Sequence, residues 1–155
     1  MTLENMLRKK LADPPAEGGT AVVAHQGWNV TLRPQASDAL SASLWDVTVE
    51  RETPAAGSDV RAWAERISSR VTGLLEPLKV LEVDPDGQVA VLRSTSPTPR
   101  DPGLHYNEVE LHGTNRATVR RYRGFHEAGR KREQIPFAVT HEALAKLIDD
   151  ITGEK

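Results

Sequence analysis

Seven Arg/Lys and one Glu fall between Arg116 and Arg132, a span that contains the run RRYRGFHEAGRKR at 120–132. Its charge is +6, which leaves −8 for the rest of a chain whose net charge is −2. Basic side chains at this density can neutralise phosphates, and Tyr122, Phe125 and His126 add flat surfaces on which unpaired bases stack. About six phosphate contacts would make log affinity fall with log salt at a slope of about −5. Arg123, Arg130, Lys131 and Arg132 carry this polyanion reading best.

A second constellation lies upstream. Glu108, Glu110 and His112 alternate, so an extended strand would set all three on one face. Carboxylates suit hard cations and imidazole suits zinc. The strand expected to face them supplies arginines, which repel a cation. A cross-strand salt-bridge ladder is therefore the preferred reading, with Glu108 answering Arg120 and Glu110 diagonal to Arg116 and Arg120. On that pairing Arg130 to Arg132 is the uncompensated part of the basic run.

Other candidates read as structure. Asp84 and Asp86 fall in a turn, because Gln88 and Val89 replace the later oxygen donors of a calcium loop. Asp149 and Asp150 near a helix C-terminus meet its partial negative charge and make poor catalytic carboxylates. His141 is expected to be exposed, with no nucleophile at a fixed distance. No phosphate-binding loop, dinucleotide fingerprint or nucleophile elbow is present. No cofactor is expected, and the balance leans away from an enzyme.

The elements that would position these residues follow from periodicity. Thr2 caps a first helix carrying Leu3, Met6, Leu7 and Leu11, which Asp13-Pro14-Pro15 stops. Ala21 to Val23 reads as a short strand. Trp28, Val30, Leu32 and Trp45, Val47, Val49 alternate as two paired strands, with both tryptophans on the buried face. Ser58 caps a helix of about four turns whose stripe is Val60, Trp63, Ala64, Ile67, Val71, Leu74 and Leu75. All three tryptophans read as core.

Val80–Val83 and Val89–Leu92 flank Asp84-Pro85-Asp86-Gly87, a hairpin with Gly87 at the positive-φ position. Residues 94–103 are expected to be an internal Ser/Pro-rich surface loop. The last hairpin, 105–123, turns at Gly113-Thr114-Asn115 with Asn115 left-handed. Its register pairs Tyr106 with Tyr122, Val109 with Val119 and Leu111 with Ala117. Thr140 caps a C-terminal helix carrying Leu144, Leu147, Ile148 and Ile151, and Gly153 ends it.

The predicted order is α-β-β-β-α-β-β-β-β-α: an α+β fold whose mainly antiparallel sheet carries three helices. One globular domain over 1–155 is expected, because a chain of this length buries roughly 70% of its unfolded surface. With 38% hydrophobic and 27% charged residues the composition is globular, and the absence of cysteine removes disulfides and thiolate chemistry. No signal-peptide pattern or spanning segment is evident, so a cytoplasmic protein is expected, without membrane contact.

This element order resembles that of the small chaperones of bacterial secretion systems, which pack helices on an antiparallel sheet, dimerise and hold an unfolded partner. The additional C-terminal hairpin departs from that pattern. The leading expectation is a non-enzymatic protein-binding, adaptor or chaperone-like domain, homodimerisation included, that meets its partner through an exposed sheet face or a helix groove. Nucleic-acid binding through 116–132 is the alternative, and a metal-dependent enzyme using Glu108, Glu110 and His112 is a third.

Overall fold

The computed structural model describes residues 2–13, 18–54, 59–74, 76–95, 97–100 and 103–153. In chain order the elements are α1 (Leu3–Ala12), β1 (Ala21–His25), β2 (Trp28–Ser37), β3 (Ser41–Glu50), α2 (Val60–Arg70), β4 (Leu78–Asp84), β5 (Val89–Ser94), β6 (Thr98–Arg100), β7 (Gly103–His112), β8 (Arg116–Phe125), β9 (Glu133–Ile135), β10 (Phe137–Thr140) and α3 (His141–Thr152). The expected order holds, and the structure adds three short strands. One of them, β6, lies inside the stretch expected to be loop and pairs with β7.

All pairings are antiparallel, and the main path through the sheet is β1-β2-β3-β8-β7-β5-β4. β3 and β8 run together only from Asp46/Arg120 to Glu50/Arg116. Beyond that they fork. β9 pairs with Arg121–Arg123 of β8, β10 pairs with Ser41–Leu44 of β3, and Pro136 joins the two.

Each helix starts where a side chain satisfies an orphan amide. Thr2 accepts from Asn5 N at 3.1 Å, Asp59 from Ala62 N at 2.8 Å, and Thr140 from Ala143 N at 3.0 Å. The cap of α2 is thus Asp59; the expected Ser58 lies outside the described residues. α2 is also shorter than its apolar stripe suggests. It ends at Arg70, and Val71 turns extended before the weak helix formers Thr72 and Gly73. Val71 stays buried and Leu74 packs on the core from outside the helix, while Leu75 is not among the described residues.

The core lies between the helices and one sheet face. Leu7, Leu11, Leu32, Ile67, Leu92, Leu111, Leu144 and Ile148 are fully buried there. α1 packs on α3, and α2 touches α3. Trp28 and Trp63 meet with ring centroids 5.8 Å apart, and the Trp63 indole donates to Ile151 O at 3.0 Å.

Trp45 departs from expectation. Register shifts around Arg33–Ala36 break the alternation, so Ala42 and Leu44 share the core side with Val47 and Val49. Trp45 is left half-buried outside the core, with the Arg33 guanidinium 5.9 Å from its ring centroid.

The β7–β8 register is the expected one, pair for pair from Tyr106/Tyr122 to His112/Arg116. Its turn differs in detail: Gly113, not Asn115, is left-handed (φ 59°). In the β4–β5 turn the positive φ falls on Gln88 (51°) rather than Gly87. A Cβ at Gly87 would lie 2.7 Å from Asp84 Oδ2, so the carboxylate that accepts from the Gly87 N–H would have to shift. No helix among the described residues is long and apolar enough to cross a membrane.

Candidate functional site

The sheet face without helices gathers most of the side chains singled out in the sequence. Glu108 and Arg120 are register partners, but they do not pair with each other. Glu108 accepts from Arg93 Nη2 at 3.0 Å and from Arg132 Nη1 at 2.6 Å. Arg120 lies 3.9 Å from Asp46, itself held by Arg33 at 2.7 Å, and 4.0 Å from Glu110. The ladder exists with shifted partners, because Arg132 reaches back across β8 and takes the acceptor expected for Arg120.

That return answers the basic run from within. Arg132 also stacks 3.8 Å from the Tyr122 centroid, and Arg130 lies 3.6 Å from that of Phe125 with Glu127 3.6 Å away. Arg123 meets Glu133 at 2.9 Å. The 130–132 segment is therefore not the uncompensated stretch expected: of Arg123, Arg130, Lys131 and Arg132, Lys131 alone has no described partner. Nor do the described residues hold any cluster of three His, Asp or Glu suited to a metal. His112 contacts Glu110 at 2.6 Å, while Glu108 lies between two guanidinium groups, whose charge repels a cation.

Sequence reasoning passed over a buried network on the opposite face. Arg121, Asn107 and Ser94 continue the core-facing parity of Val119, Val109 and Leu92, and Glu76 closes over them from the segment before β4. Arg121 donates to Glu76 Oε1 at 3.0 Å, Glu76 Oε2 at 3.2 Å and Asn107 Oδ1 at 2.9 Å. Thr98 and Ser94 also donate to Glu76, at 2.7 Å and 3.1 Å. Burial pushes the Glu76 carboxyl up, but hydrogen bonds from Arg121, Thr98 and Ser94 outweigh it and hold the pKa below the ordinary carboxylate value. Two signals in the sequence point here: the parity of Arg121 in its hairpin, and a lone Glu in the apolar run Leu74-Leu75-Glu76-Pro77-Leu78.

No family model, curated protein or solved structure matches the chain.

The two outer strands of the sheet differ in how their edges are guarded. β4 has a register shift between Val80 and Glu82 and carries Lys79, Glu82 and Asp84. Bulges and charges of this kind discourage a further strand from adding. β1, Ala21-Val22-Val23-Ala24-His25, has an unbroken register against β2 and no Asp, Glu, Lys or Arg. No described strand covers its outer side.

The β1–β2 turn fixes which backbone groups face outward. Gln26 and Gly27 are both left-handed (φ 49° and 86°), the conformation of a two-residue primed turn. Such a turn closes on the hydrogen-bonded pair His25/Trp28, and the ladder alternates from there through Val23/Val30 and Ala21/Leu32. The N–H and C=O of Val22 and Ala24 therefore point away from β2. Val22 is 48% exposed.

A groove of about 860 Å³ runs along this edge. Its other wall is Met6, Lys9 and Lys10 of α1, at helical spacing i, i+3 and i+4, with Asp13 just past the helix end. A larger cleft of about 1060 Å³ lies at the C-terminal end of α3, but its charges serve the fold. There Arg70 donates to Gly153 O at 2.7 Å, His25 meets Asp149 at 2.8 Å, and Arg51 lies 4.5 Å from the Trp28 centroid.

Proposed function

We propose that this protein is a non-enzymatic protein-binding domain that takes an extended, acidic segment of a partner as an extra strand on β1. The contrast between the two sheet edges carries the reading: β4 is guarded by a bulge and charges, and β1 is not. Strand addition of this kind draws affinity from main-chain hydrogen bonds and specificity from alternate side chains. Val22 and Ala24 supply the backbone groups. Met6 offers an apolar contact, and Lys9 and Lys10 offset Asp13 to leave the α1 wall with a charge of +1. That sign favours carboxylates on the added strand.

The probe is an N-acetylated octapeptide alternating valine and glutamate, with a valine–lysine counterpart. Fluorescence titration should give at least tenfold tighter binding for the glutamate peptide. Val22→Pro removes an outward N–H without touching the β2 ladder, since proline is tolerated on an edge whose N–H faces solvent. It should weaken binding tenfold or more and leave thermal stability nearly unchanged. Equal binding of the two peptides, or unaltered binding to Val22→Pro, would overturn the reading. A second copy seated edge to edge on β1 is the competing occupant; a dimer abolished by Val22→Pro would replace the peptide.

A further inference from the structure

The fork between β3 and β8 leaves a cavity of about 240 Å³ on the helix side of the sheet. None of its lining residues belongs to β1 or α1, so its chemistry is independent of strand addition at that edge. One wall is basic and polar, with Arg100 from β6, His105 and Asn107 from β7, and Arg121 from β8. The rest of the lining is apolar and includes Leu74 and Phe137.

The basic residues differ in how far they are committed. Arg121 is tied to Glu76 and Asn107. Arg123, beside the cavity, is tied to Glu133, although its Nε is buried without an acceptor. Arg100 and the His105 ring have no described hydrogen-bond or ion-pair partner. An exposed arginine and a half-buried histidine without an acceptor, lining one small cavity with apolar side chains, together offer the complement of an amphipathic anion.

We propose that this cavity binds a small organic carboxylate, its head group held by Arg100 and His105 and its apolar body against Leu74 and Phe137. Fixed charge reaches His105 from Arg100 on β6, from Arg121 and Arg123 on β8, and from Glu76 before β4. Burial, then the three arginines, hold the imidazole below its ordinary pKa, with Glu76 opposing weakly. A bound carboxylate reverses that field and favours the imidazolium, so binding takes up a proton. By linkage, affinity rises as pH falls, by up to about tenfold per pH unit between the free and bound pKa values of His105.

Butyrate is the probe, with butyramide as its neutral isostere. A short peptide ending in valine, with a free or an amidated C-terminus, tests whether the carboxylate comes from a metabolite or a chain end. The readouts are calorimetric affinity between pH 5.5 and 7.5 and the His105 imidazole resonances. Butyrate should bind at least tenfold more tightly than butyramide, raise the His105 pKa, and bind more tightly at the acid end. Arg100→Gln should cost tenfold or more in affinity at unchanged thermal stability, since Arg100 makes no described contact the fold depends on. His105→Gln should flatten the pH dependence. A free-terminus peptide that binds better than butyrate assigns the site to a chain end, and the converse assigns it to a free acid. No binding by either carboxylate, equal binding of butyramide, or a butyrate affinity indifferent to Arg100→Gln overturns the proposal.

Discussion

Arg121 donates to both oxygens of Glu76, at 3.0 Å and 3.2 Å, with side chains only 9% and 4% exposed. The pair joins β8 to the segment that leads from α2 into β4, so it ties the far side of the sheet to the central helix. Both charges were taken out of water to make it; Asn107 accepts a further bond from Arg121, and Ser94 and Thr98 donate to Glu76.

Removing one partner alone leaves the other charged and buried. Glu76→Ala is expected to cost about 3–5 kcal/mol, and Arg121→Met a similar amount. The double replacement Glu76→Met with Arg121→Met should cost much less than the sum, because no lone charge remains. A double-mutant cycle by urea unfolding measures the coupling; additive losses would show that the two side chains act independently.

His141 gives the fold a pH dependence. It begins α3 at 1% exposure, contrary to the exposed position expected, and neither ring nitrogen has a hydrogen-bond partner. Burial, then the Arg8 charge, depress its pKa, while Asp38 and Glu4 oppose the shift. A histidine with a lowered folded-state pKa takes up protons more readily when unfolded. Its contribution is therefore present in full above about pH 6.5 and is lost as pH falls below that. His105 is shifted in the same direction and adds to the effect. The thermal midpoint should decline between pH 7 and pH 5, and His141→Leu should flatten that decline. An unchanged slope in the variant would place the pH dependence elsewhere.

Arg132 and Lys131 are neighbours with opposite roles. Arg132 closes over Glu108 at 2.6 Å and stacks on Tyr122, whereas Lys131 has no described partner. The Arg132 side chain is 40% exposed, so solvent screens its ion pair. Ion pair and stacking together suggest a loss of about 1–2 kcal/mol for Arg132→Ser and near zero for Lys131→Ser. Chemical denaturation of the two variants checks this. Equal stabilities would return Arg132 to the set of free cations on which polyanion binding depends, and a salt titration with single-stranded RNA would then be the next measurement.

Much of the fold was legible because it rests on local periodicity. The β7–β8 register follows from the two-face alternation of Val109, Leu111, Ala117 and Val119, and α3 from the stripe Leu144, Leu147, Ile148 and Ile151. What was not legible depends on contacts between distant segments. Trp45 is itself the residue skipped in the β2–β3 register, between Arg33/Asp46 and Pro34/Leu44, and the apolar alternation of Trp45, Val47 and Val49 does not announce that bulge. The 126–132 segment folds back over β8, so Glu108 finds Arg132 rather than the register partner Arg120. Arg121 carried its own signal, because the parity that buries Val119 also buries the residue two further on. The β1 edge is a different case. Its composition is plain in the sequence, but that no described strand covers it is a property of the assembled sheet.

The strand-addition account turns on two backbone amides. Residue-resolved hydrogen exchange by NMR should find the Val22 and Ala24 amides exchanging rapidly in the free protein, while Val23 and His25, bonded to β2, are protected. Saturating valine–glutamate octapeptide should slow Val22 and Ala24 at least tenfold and leave the amides of β4 unchanged. Slow exchange at Val22 and Ala24 without peptide, or no change when it is added, would contradict the account.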